Sequence, residues 1–183
     1  MPGVKPPEAA PLCPWREPDL DLKSFFPEAK SYQAETRILS GVRSELASRL
    51  GRWPTGDENA LRLNRVYQDG TAVGAILTRR VKGEYGGIEL VLATDDHHNV
   101  RGLRLQRLRE PEASAEALQD QNWLNAFVGK RSGDPWHVGG DIPEVPASVR
   151  GSALAIVDGV RSLLILLEAA DQQGPKLAEA HHH

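Results

Sequence analysis

The sequence predicts an α+β fold: an antiparallel sheet of about five or six strands, packed against an N-terminal helix and a long apolar C-terminal helix. Three observations predict it. Between Leu61 and Leu108, short β-prone runs alternate with turns rich in Gly, Asp and Asn, the pattern of a meander. Ahead of it, Leu39, Val42, Leu46 and Leu50 recur at three- and four-residue spacing. After it, Ser152 to Ala170 is apolar nearly all round and must be buried on most sides or meet a partner.

The elements follow in order. Residues 1–24 form a Pro-rich acidic arm, too broken by proline for a regular helix, with Trp15 and Leu20 available to pin it. Residues 25–170 are the folded domain. Residues 28–50 read as helical, and Gly51 stops them. Trp53 to Asp57 is a loop. Leu61, Leu63, Arg65 and Tyr67 alternate as a strand, and Asp69-Gly70 turns it into a second strand, Ala72 to Val81. Gly83 to Gly87 is the next turn, Ile88 to Ala93 a third strand, Asp95 to Asn99 a polar turn, and Val100 to Leu108 a fourth strand. Ser114 is the expected N-cap of a helix running to Phe127, and Gly129 ends it. Residues 131–147 are a Gly/Pro-rich loop before the last helix. Residues 171–183 are a tail, and His181, His182 and His183 look like the remnant of a purification tag, which removes them from any metal argument.

Composition narrows the function. A chain of 183 residues, 40% hydrophobic and 26% charged, has the length and make-up of one globular domain. A net charge of −3 gives no electrostatic case for nucleic acid or an anionic membrane. No window approaches the roughly 20 apolar residues of a membrane span. The single cysteine, Cys13, excludes an internal disulfide and any cysteine-based zinc or iron–sulfur site within one chain. His97-His98 beside Asp95-Asp96 reads as a solvated turn, because adjacent strand residues point to opposite faces. His137 and Trp136 read as loop-packing residues; an aromatic face there would also suit a flavin ring. No metal ligand set and no catalytic residue emerges from spacing.

One ordered set of short matches carries more. Val81-Lys82-Gly83-Glu84-Tyr85-Gly86-Gly87-Ile88-Glu89 is followed by Val100-Arg101-Gly102-Leu103, Arg109-Glu110, Trp123-Leu124, Phe127, Gly129-Lys130 and Asp141-Ile142, then by a small-residue turn opening an apolar helix. From Phe25 to Glu168 this order resembles the FMN-binding domain family, which includes flavin-carrying subunits of ion-pumping quinone oxidoreductases and periplasmic flavoproteins. The resemblance implies FMN near the start of the last helix, held there in the family by an ester between a threonine and the flavin phosphate. A helix N-terminus suits a phosphate, since its N–H groups are unpaired and its dipole is favourable. It also implies an electron-transfer role, a membrane-bound redox or assembly partner protein, and a periplasmic or outer-face location.

The anchoring stretch departs from the family. Val145 to Leu154 contains no threonine. Aligning Asp141-Ile142 places Val149 at the attachment position; aligning Gly159-Val160-Arg161 places Arg150 there; aligning Ala147-Ser148 places Ser148 there. Only the last leaves a nucleophilic hydroxyl. Pro146 stands where a glycine would offer an N–H. Glu110 matches a family glutamate near the flavin, but Pro111-Glu112-Ala113 replaces the glycines after it. The expected cofactor contacts are therefore Ser148, Arg150, Gly151, Ser152, Glu110, Gly86 and Gly87, with FMN non-covalent if bound. The alternative is a flavin-free interaction or assembly module that retains the fold.

Overall fold

The computed structural model describes residues 18–173. Cys13, Trp15, the prolines before Pro18 and the terminal histidines lie outside the described residues. The elements are α1 (Pro18–Phe25), β1 (Ser31–Ile38), α2 (Arg43–Leu50), β2 (Ala60–Gln68), β3 (Thr71–Lys82), β4 (Gly87–Asp95), β5 (Val100–Gln106), α3 (Glu112–Leu118), α4 (Gln121–Asn125) and α5 (Arg150–Gln172). The sheet has five strands in the order β1-β2-β3-β4-β5, and every neighbouring pair is antiparallel. The expected α+β meander is present.

Alternation along the strands makes two faces. One carries Leu61, Leu63, Leu77, Ile88, Leu90, Leu92, Leu103 and Leu105 and is covered by α5, with α4 against β5 and α2 packed on α5. The register stacks Leu63, Leu77, Leu92 and Leu103 across four strands. The other carries Val66, Ile76, Val91 and Ala93, and Leu22 and Phe26, in and just after α1, close over it. Close approach is built into the sheet here, because a Cβ at Gly74 would meet Phe26 2.8 Å away, and one at Gly102 would meet Phe25.

The apolar C-terminal helix is satisfied within the chain. Ile156, Val157, Val160, Leu163, Leu164 and Leu167 are among its buried residues. Its last turn meets a charged cluster. Arg37 Nη2 donates to the Ala170 carbonyl at 2.6 Å, and Arg65 pairs with Asp171 at 2.9 Å. Positive charge at a helix C-terminus complements its exposed carbonyls.

Four local expectations are corrected. The helical reading of residues 28–50 holds only from Arg43. Residues 31–38 are an edge strand whose inward side carries Glu35 and Arg37 rather than apolar residues, so its pairing with β2 overrides the spacing that begins at Leu39. The arm contains helix α1, since proline is well suited to the first helical position. Leu20 is 63% exposed, and Leu22 and Phe26 make the anchoring contacts instead. The helix from Ser114 to Phe127 is two short helices. Ser114 lies buried inside α3, and Asp120 restarts the chain by accepting from the Trp123 N–H as N-cap of α4.

Candidate functional site

The turn between β3 and β4 lies against the first turn of α5. Gly83 N–H donates to the Gly86 carbonyl at 2.8 Å, and Gly86 has φ +136°, a conformation that favours glycine. Ser152 is fully buried beneath it. Its hydroxyl donates to Glu110 Oε2 at 2.7 Å and accepts from the Glu84 N–H at 2.8 Å. A Cβ at Gly83 would lie 2.8 Å from that hydroxyl and 3.1 Å from Glu110 Oε2, so only glycine lets the three segments close. Glu110 Oε1 is buried with no hydrogen-bond partner among the described residues.

Of the expected contacts, the fold thus brings together Glu110, Gly151 and Ser152. Gly151 faces the Glu84 side chain, whose Cδ would be 2.7 Å from a Cβ there. Gly86 and Gly87 sit on the same turn but back onto Arg109 and Arg80. Ser148 is exposed on a 3-10 turn, Ala147–Val149. Arg150 turns away, donating to Glu144 at 3.1 Å and to the Val138 carbonyl at 3.2 Å. Gly83 and Glu84 were not among the expected contacts. The clue to Gly83 was its place in a glycine-rich turn; nothing marked Glu84.

A groove of about 530 Å³ opens between α3, α4 and residues 143–146. Ala113, Ala117, Pro143, Val145 and Pro146 supply apolar wall, and Glu116, Asp120 and Glu144 supply carboxylates. The Val145 N–H, and after it Arg150, hold Glu144 below the ordinary carboxylate range. Trp123 is buried at its edge, with its indole N–H on the Pro143 carbonyl at 2.9 Å. Trp136 packs against Phe127, with ring centroids 6.1 Å apart and tilted at 51°, and lies under the Lys130 ammonium. His137 is exposed.

The residues at the start of α5 do not fit the flavin phosphate that the resemblance implies. The Val149 and Arg150 N–H groups already bond to the Pro146 and Ala147 carbonyls, and Pro146 has none to give. Glu84 and Glu110 place two carboxylates against the first turn, and like charge there opposes a phosphate. Arg150 is engaged by Glu144.

His98 takes φ +66° in the turn before β5 and reaches Asp171 at 2.8 Å. Among the described residues, no group of three His, Cys, Asp or Glu is placed to hold a metal ion. No helix among them is long and apolar enough to cross a membrane. No family model matches the chain, and no curated protein matches it.

Proposed function

We propose that this domain is an interaction module with an FMN-binding-like frame, and that its groove beside α5 docks a basic segment of a membrane-linked redox or assembly partner. The observation that carries this reading is the charge of the groove. Glu116 and Asp120 border apolar wall, Glu144 stands beside them paired with Arg150, and Glu84 and Glu110 stand at the α5 N-terminus. Apolar floor and acidic rim suit an extended segment bearing Arg or Lys. The burial of most of α5 in the core favours the groove over that helix as the docking surface.

Non-covalent FMN is the second reading, favoured by the groove's volume, which suits a flavin ring. In it the isoalloxazine would supply redox chemistry while the protein would hold and orient it.

One set of measurements separates the two. Fluorescence anisotropy of a labelled Arg/Lys-containing peptide should show salt-dependent binding to the full chain. Glu116→Gln with Glu144→Gln should weaken it about tenfold, consistent with loss of two close charge contacts. Equal binding by the double variant sinks the docking reading. Saturable quenching of added FMN fluorescence by the full chain establishes the flavin reading in its place.

A further inference from the structure

On the far side of the β3–β4 turn, three arginines converge without enough acid to balance them. Arg80 leaves β3, and Arg107 and Arg109 follow β5; with Gly87 and Glu89 they line a cavity of about 80 Å³. Among the described residues, Glu89 is the only carboxylate lining it. It lies directly across from Arg80 in the strand register, yet Arg80 does not pair with it. Glu89 instead accepts from Gln106 at 3.2 Å and meets Arg107 at 3.5 Å. Arg80 and Arg109 have no acceptor among the described residues. Neighbouring Arg104 is engaged elsewhere, by Asp21.

The backbone is shaped to hold this arrangement. The Arg80 guanidinium lies over Gly87, where a Cβ would stand 2.5 Å from Nε and 2.9 Å from Nη2. The Arg109 stem lies over Gly86, where a Cβ would stand 3.3 Å from Cδ. Both glycines of the Tyr85-Gly86-Gly87 turn are therefore seats for arginines. Arg107 has φ +55°, a left-handed conformation that a non-glycine residue adopts at a cost. A strained cation beside two unpaired cations is a poor structural solution and a good receptor.

We propose that Arg80, Arg107 and Arg109 form a binding site for one tetrahedral oxyanion, either free phosphate or the terminal phosphate of a phosphomonoester. The cavity holds an anion of that size and little more. Guanidinium forks match its oxygens in pairs, and three of them outweigh the charge of Glu89. The site shares no lining residue with the acidic groove, and it does not depend on what the groove docks.

The test is calorimetric titration of inorganic phosphate into the full chain at constant ionic strength. The unaltered protein should saturate. Arg80→Gln with Arg109→Gln should weaken binding at least tenfold. Gly87→Ala should also weaken it severalfold, because the added methyl displaces the Arg80 guanidinium while all charge remains. Arg107→Gly should weaken binding without lowering the thermal midpoint, since it relieves the positive φ. Arg62→Gln removes one exposed arginine on β2 and should change nothing. No saturable heat with the unaltered chain overturns the proposal. So does equal weakening by Arg62→Gln, or phosphate binding by Gly87→Ala as tight as before, because either marks a diffuse charge effect. Glycerol 3-phosphate and FMN, with riboflavin as the phosphate-free control, then identify the source. Competition by both phosphate esters but not riboflavin assigns a phosphomonoester; competition by neither assigns the free anion.

Discussion

Ser152 holds the β3–β4 turn to α5 with a single hydroxyl that both donates and accepts. Removing it leaves Glu110 Oε2 and the Glu84 N–H without partners, and Glu110 Oε1 already has none. A buried polar group left unpaired costs about 1–3 kcal/mol. Ser152→Ala should therefore lower the urea midpoint by an amount equivalent to about 2 kcal/mol. Adding Glu110→Ala removes the stranded carboxylate, so the double variant should lose less than the sum of the two single losses; strict additivity would show that the two groups do not act together. Much of this site was legible. Glu110, Gly151 and Ser152 could be picked out from their place in an ordered pattern. Glu84 could not, because its role comes from the turn folding onto a helix far along the chain, and no local spacing records that.

At the scale of elements, α5 approaches the sheet closely at Gly159. A Cβ there would stand 2.6 Å from Val81 Cγ1 and 2.8 Å from Leu90 Cδ1. Two effects oppose each other in Gly159→Ala. Helix propensity favours alanine by about 1 kcal/mol. Overpacking against the partly buried Val81 and the buried Leu90 costs about 1–3 kcal/mol. The second should win, so thermal unfolding of Gly159→Ala should show a lower midpoint; a higher midpoint would mean that α5 lifts off the sheet freely. The same contrast between local and tertiary forces explains which elements could be read beforehand. Strands β2 to β5 and helix α5 were visible because their own residues bury, in alternation or all round. Strand β1 was not, since its inward side is Glu35 and Arg37, whose partners Arg65 and Asp171 come from other elements. The division of α3 from α4 was missed for a different reason. Asp120 was a usable N-cap signal, but the apolar spacing runs on through it.

Across the whole molecule, two carboxylates tie the sheet to its helices through ion pairs, and both resist protonation. Burial alone would raise Glu58, but hydrogen bonds from Arg52 and the Thr55 N–H, with the Arg79 charge, lower it to about 2. Glu58 is fully buried and joins the 3-10 turn before β2 to Arg79 on β3 at 2.9 Å. Burial would likewise raise Asp171, but His98 and Arg65 lower it to about 2, at the opposite end of α5 from the candidate site. The sign follows from linkage. Each group ionises more readily folded than unfolded, so the unfolded chain binds more protons in the window between the two values. The stability they contribute is present above the ordinary carboxylate range, near pH 4–5. It is lost as pH falls from there toward about 2. Urea midpoints should accordingly be level near neutral pH and fall steeply below about pH 4.5. Glu58→Gln should start lower at pH 7, because Arg52 and Arg79 lose a buried counter-charge worth about 3 kcal/mol. Its acid limb should also be shallower than that of the unaltered chain, since one strongly lowered carboxylate is gone. A variant that is destabilised at pH 7 but keeps the full acid slope would place the acid-sensitive charge elsewhere in the molecule.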